Sequence, residues 1–189
     1  MAEGFNPLMD RLDRVLDRVE ELFAQYRPAG NDRLPSFEQY LACRWRGAHG
    51  GALLGVDHPH LVFLEELGGI DRNIEELVSN TACFVAGLPC HDVLLWGERG
   101  SGKSSSVKGL LRLFADKGLR LVELQRQDLL TLPTLMALLR PLPFRFIVFC
   151  DDLSFDEGEG EYRELKAFLD GGIEERPGNV RFYATSNRR

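Results

Sequence analysis

Leu94–Ser106 reads LLWGERGSGKSSS, an apolar run that breaks into a glycine-rich loop ending in lysine and serine. Gly97, Gly102, Lys103 and Ser104 fall on the spacing G-x-x-x-x-G-K-S. A phosphate chain needs many donors converging with little side-chain bulk, and this spacing supplies them. Gly97, Gly100 and Gly102 let backbone N–H groups curl around an anion, and the helix expected after the loop adds its unsatisfied first-turn donors. Glu98, Arg99, Ser101 and Ser105 complete the loop residues expected to meet the phosphates. Lys103 is placed to reach the outer phosphates of a nucleoside triphosphate such as ATP, and Ser104 to offer an oxygen to Mg²⁺.

Working outward, Val93–Trp96 reads as a short strand entering the loop. Ser104–Ala115 reads as the helix leaving it, with Val107, Leu110, Leu111 and Phe114 facing inward. Leu119–Leu124 is a second strand, Leu129–Leu139 a helix in spite of Pro133, Phe146–Cys150 a third strand and Val180–Thr185 a fourth. Between the last two lie an acidic loop, Asp156–Glu161, a helix over Tyr162–Leu169 and a turn region over Gly171–Asn179. Upstream, Ile70–Phe84 has helical spacing through Ile74, Leu77, Val78 and Ala82, and Gly87–Pro89 ends it. Strands alternating with helices predict an α/β fold, a parallel sheet sandwiched by helices.

The N-terminal part reads differently. Leu8, Leu12, Val15, Leu16, Val19, Leu22 and Phe23 recur at helical spacing among Asp and Arg residues, which predicts an amphipathic helix stopped near Pro28–Gly30. Residues 31–60 carry mixed signals, a short helix over Ser36–Arg44 followed by the turn-rich GAHGG of Gly47–Gly51. The expected division is an N-terminal helical extension over 1–60 and a nucleotide-binding core over 61–189.

A second chemical signal lies downstream. The apolar strand Phe146–Cys150 runs into Asp151 and Asp152. Two carboxylates at the end of a buried strand are costly unless they meet a metal or hydrogen-bond donors. Beside a phosphate loop, Asp151 is suited to hold Mg²⁺ through its water shell, and Asp152 to orient and partly deprotonate an attacking water. Thr185–Ser186–Asn187 closes the fourth strand as a polar cluster. If that strand lies between the first and third, Asn187 points toward the γ-phosphate.

Composition limits the alternatives. The formal charge is −6, and the whole acidic excess falls within residues 1–90, so no basic nucleic-acid footprint is indicated. No run of about eighteen apolar residues offers a membrane span. The acidic, amphipathic start is unlike a secretory leader, so a cytoplasmic protein is expected. Cys43, Cys83, Cys90 and Cys150 show no close ligand pairing and read as unpaired thiols. His49, His58 and His60 lie near Cys43 but without an ordered zinc-ligand spacing.

Strand, phosphate loop, apolar strand with an acidic pair, and strand with a terminal asparagine together resemble the core of the AAA+ ATPases, within the P-loop NTPase superfamily. Gly97–Ser104 is similar to their Walker A motif, Phe146–Asp152 to Walker B and Asn187 to sensor 1. Leu67–Asp71 resembles the segment that borders adenine, which implies contacts from Gly69 and Ile70. More closely, GIDRNIEEL, NTACFVAG, LLWGERGSGKSS, FCDDLSFDEGE and YATSNRR resemble a bacterial family of AAA+ ATPases known as domain of unknown function 815.

The resemblance implies Mg-dependent ATP hydrolysis coupled to conformational change, with Lys103, Asp152 and Asn187 as the catalytic set and Ser104 and Asp151 on the metal. It also implies a homo-oligomer for the full-length protein, with an unidentified protein partner. Two departures stand out. Asp152 takes the place of the usual glutamate, and the sequence stops at Arg189, before the fifth strand, arginine finger and helical lid of such a core. A core lacking these parts is expected to leave its first strand uncovered on one side and to turn over slowly by itself. Arg188 and Arg189 read as surface or inter-subunit contacts. Two other uses of the loop stay open: a P-loop kinase acting on a small molecule, and a nucleotide-gated binding module with negligible hydrolysis.

Overall fold

The computed structural model describes residues 34–153 and 175–187. The expected helix through Leu8–Phe23, the loop Asp156–Glu161, the helix Tyr162–Leu169, and Arg188 and Arg189 lie outside the described residues. Contacts divide the chain into two units, Met1–Leu34 and Pro35–Arg189. Residues 35–60 share contacts with the second unit.

The reason is a pair of strands that the sequence reading did not assign. Ala42–Arg46 forms β1, overlapping the short helix expected over Ser36–Arg44, and Ala52–Gly55 forms β2, with the expected turn-rich Gly47–Gly51 connecting them. Alternation decides the outcome: Cys43 and Trp45 are buried while Arg44 and Arg46 are exposed, a period of two that only a strand satisfies. The two strands pair antiparallel, Cys43 opposite Gly55 and Arg46 opposite Ala52. Trp45 is fully buried, and its indole N–H donates to Thr131 Oγ1 at 2.7 Å.

Downstream, the remaining elements follow the apolar periodicity closely. They are α1 (Asp71–Val85), β3 (Val93–Trp96), α2 (Lys103–Phe114), β4 (Leu119–Glu123), α3 (Leu132–Leu139), β5 (Arg145–Cys150) and β6 (Val180–Ser186). Pro133 is accommodated because it stands in the first turn of α3, where its missing N–H has no partner to lose. A 3-10 stretch, Arg126–Thr131, takes the preceding residues.

The described residues form a six-stranded sheet in the order β2-β1-β4-β5-β6-β3. Five strands run parallel and β2 runs against them, so the expected parallel sheet is extended by one antiparallel edge strand. β6 lies between β3 and β5, as the placement of Asn187 required. β3 has β6 as its sheet neighbour and, among the described residues, nothing on its other side.

Alternation along the central strands sorts the core into two layers. Phe146, Val148 and Cys150 of β5, with Val180, Phe182 and Ala184 of β6, pack with Leu132, Leu135, Met136 and Leu139 of α3. Ile147, Phe149 and Tyr183 turn the other way, onto Leu77 and Phe84 of α1 and Val107, Leu110, Leu111 and Phe114 of α2. Apolar side chains on both faces are what a sheet covered on both sides needs. One polar group enters this core at low cost: the Tyr183 hydroxyl lies within hydrogen-bond distance of Asn80 and Thr81. Burial raises its pKa above the ordinary value.

Candidate functional site

The site is built at the ends of β3, β5 and β6. β3 ends at Trp96, and the chain turns through Gly97, Gly100 and Gly102, all at positive φ, before α2 begins at Lys103. The N–H of Gly97 still donates to Ser186 O at 3.2 Å, so the loop leaves the sheet only after that bond. Gly102 has φ +84°, and a Cβ there would stand 3.0 Å from Ile70 Cδ1. The positive φ favours glycine, and any Cβ there would also have to displace the tip of Ile70. Ile70 is the N-cap of α1, immediately after Gly69 at φ +80°. Ile70, read from the sequence with Gly69 as bordering a base, is brought beside the loop.

Lys103 folds back on its own loop. Its ammonium donates to Gly97 O at 2.9 Å and Glu98 O at 2.6 Å, with Ser101 Oγ at 3.4 Å. Glu98, Arg99, Gly100 and Ser101 are exposed around it, while Ser104 and Ser105 are half-buried in the first turn of α2. The loop therefore carries a cation, backbone donors and open access on one side.

The acidic pair arrives from β5. Its last residue, Cys150, stands opposite Ala184 of β6, so the chain leaving β5 runs beside Thr185. Ser104 Oγ donates to Asp151 Oδ1 at 2.5 Å, joining residues from the loop and from β5. Thr185 Oγ1 donates to the same oxygen at 2.6 Å and accepts the N–H of Asp152 at 2.9 Å. Asn187 Nδ2 donates to Asp152 Oδ1 at 2.6 Å. Asp152 has φ +54°, the one non-glycine with positive φ among the described residues. Burial pushes the neighbouring Cys150 thiol up to about 12, and the Asp151 carboxylate adds to the shift.

Ser104, Asp151, Asp152 and Asn187 are thus one connected set. The sequence reading missed Thr185, which it saw only as part of a polar cluster. Its signal was a hydroxyl near the end of a largely apolar strand, and its partners depend on the β5–β6 register. A cleft of about 560 Å³ opens beside the loop, between Ile70 with Leu77 and Asn80 of α1 on one side and the residues of β3 on the other, reaching Ser101 and Lys103. It does not include Asp151, Asp152 or Asn187, so loop and cleft meet at Lys103. No group of three or more His, Cys, Asp or Glu side chains placed to hold a metal occurs among the described residues.

A glycine-rich loop after one strand, carboxylates after the strand two places away, and a polar strand end between them form the arrangement expected from the resemblance to an AAA+-like core. The chain belongs to the family described as Protein of unknown function (DUF815), whose model matches residues 38–189. Among solved structures it is similar to the Thermotoga maritima RuvB Holliday junction branch migration motor. That match has 19% identity and a TM-score of 0.42, and covers 69% of this chain and 42% of that chain. The chain thus spans less than half the length of that motor. No curated protein matches the sequence. No described helix is long and apolar enough to cross a membrane.

Proposed function

We propose that the chain binds ATP with Mg²⁺ at the phosphate loop and hydrolyses it, coupling the cycle to conformational change. The observation that carries this reading is the contact between Ser104 and Asp151, 47 positions apart in sequence, beside Lys103. A hydroxyl that gives its proton to a carboxylate keeps its oxygen lone pairs, and the pair offers hard oxygen donors of the kind Mg²⁺ accepts. These residues fit the metal, which when bound neutralises phosphate charge. Lys103 then leaves its own loop carbonyls for the outer phosphates. Asp152 orients the attacking water and takes its proton, and Asn187 contacts the γ-phosphate. Gly69 and Ile70 border the base.

Calorimetry with Mg-ATP tests the binding step. Lys103→Ala is expected to weaken affinity at least about tenfold, the loss of a charge-assisted contact worth roughly 1.5–3 kcal/mol. Undiminished affinity would place the nucleotide elsewhere. Phosphate release, followed with and without Mg²⁺, tests hydrolysis.

One observation favours a second reading, a nucleotide-gated binding module. Asp152 is one methylene shorter than glutamate and its carboxylate is already engaged by Asn187. If ATP and a non-hydrolysable analogue change the protein's association state alike, while ADP does not and no phosphate is released, that reading replaces hydrolysis.

A further inference from the structure

We propose that Thr185 is the positioning residue that aims the two adjacent carboxylates, Asp151 and Asp152, at their separate tasks; the proposal rests on the ATP reading above. The residue is 2% exposed and stands next to last on the strand that separates the phosphate loop's strand from the carboxylates' strand. The hydroxyl has one proton and two lone pairs. A carboxylate can only accept and an amide N–H can only donate, so the polarity of both bonds is forced. The proton goes to Asp151 Oδ1 at 2.6 Å, and a lone pair takes the Asp152 N–H at 2.9 Å.

Two consequences follow from this single group. At Asp151, Thr185 and Ser104 converge on the same oxygen, which fixes the plane of the carboxylate against the loop serine. At Asp152, the bonded N–H holds a left-handed backbone that residues with a Cβ rarely adopt. That reversal sends the second carboxylate away from the first and toward Asn187, which meets it at 2.6 Å. The adjoining Leu153 N–H is bonded to Thr185 O at 2.6 Å, so the same residue secures the chain on both sides of the turn. Without the hydroxyl, Asp152 loses its backbone anchor and Asp151 one of its two donors.

The test compares Thr185→Val, which keeps shape and removes the hydroxyl, with Thr185→Ser, which keeps the hydroxyl. Three readouts are taken on the whole chain. They are amide exchange at Asp152 by NMR without nucleotide, ATP affinity in EDTA, and the Mg²⁺ concentration giving half-maximal ATP binding. Thr185→Val is expected to speed Asp152 exchange at least tenfold and to raise the Mg²⁺ requirement roughly 10–100-fold, the usual cost of losing a group that orients a metal ligand. Its metal-free ATP affinity should stay within about twofold, because the phosphate loop keeps its own contacts. Thr185→Ser should match the native chain in all three. Should Thr185→Val not fold, Thr185→Cys, a weaker hydrogen-bonding group, takes its place and is expected to raise the Mg²⁺ requirement by several-fold.

Native-like Mg²⁺ dependence in the hydroxyl-free variant overturns the proposal, as does equal damage from serine, which would assign the effect to the methyl group. Failure of the ATP reading looks different. In that case the native chain binds no ATP, or Lys103→Ala binds it as well as native, whatever the exchange data say, and the functional part of the proposal falls with it.

Discussion

Lys103 and Thr185 illustrate how differently two side chains of one site announce themselves. The lysine is legible because its neighbours in sequence are its neighbours in space: Gly97 O, Glu98 O and Ser101 Oγ all belong to the loop that precedes it. Asp151 and Asp152 are legible for a related reason, an abrupt change from apolar strand to charge. Thr185 acts through partners 33 and 34 positions away, fixed only once β5 and β6 have found their register.

The cysteines yield a prediction at the same scale. All four are free thiols. Burial raises Cys43 and Cys150 from an ordinary value of 9.0 to about 12. The unfolded chain gives up these protons near pH 9, whereas the folded chain keeps them until about pH 12. The stability that these two protonated thiols contribute is therefore complete below pH 9 and declines as pH rises from 9 toward 12. Urea midpoints measured across that range should fall in the native chain and fall less steeply in a Cys43→Ala/Cys150→Ala variant. At pH 8, a thiol reagent should modify the half-buried Cys83 and Cys90 well before the other two.

At the scale of the element, the phosphate loop, α2 and the central strands could be read directly, because each carries its own periodicity over enough residues. The β1–β2 hairpin could not. Its strands are five and four residues long, and the glycines around His49 hide the connection inside what looks like a loop. Its stability depends on a contact no local pattern reveals. Gly51 has φ +88°, and a Cβ there would lie 2.1 Å from the ring of Trp45. Gly51→Ala is expected to cost roughly 1–3 kcal/mol through this overpacking, and Trp45→Ala about 3–5 kcal/mol through the cavity it leaves. Thermal melts of the two variants check both values. A smaller loss for Trp45→Ala than for an exposed control such as Leu54→Ala would mean that the hairpin does not hold this part of the core.

A second contact belongs to α2. Gly109 faces the 3-10 turn Leu64–Glu66 so closely that a Cβ would fall 2.4 Å from Leu64 Cδ2 and 3.2 Å from Val62 O. Gly109→Ala would push the turn away from the helix that carries Lys103 and Ser104. The expected result is a lower melting temperature, with nucleotide affinity reduced less than by Lys103→Ala.

For the whole molecule, the sheet order decides which surfaces are finished. β4, β5 and β6 have strands on both sides and helices on both faces, whereas β3 presents a bare edge among the described residues. Leu94 on that strand is 57% exposed, so the edge is apolar as well as unpaired. Such an edge favours association. Light scattering over a concentration series should show self-association of the chain, and Leu94→Lys should shift it to several-fold higher concentration. Unchanged behaviour would locate the association surface elsewhere.

The position of β6 has a thermal consequence. This strand joins the loop's strand to the carboxylates' strand, and side chains along it alternate between faces. A slip of one residue would exchange the surroundings of Thr185 and Ser186 rather than displace them slightly. No partly adjusted site lies between the intact arrangement and its loss. Heating should therefore abolish nucleotide binding and melt the sheet in one transition, with superimposable curves from bound-ligand fluorescence and far-ultraviolet dichroism.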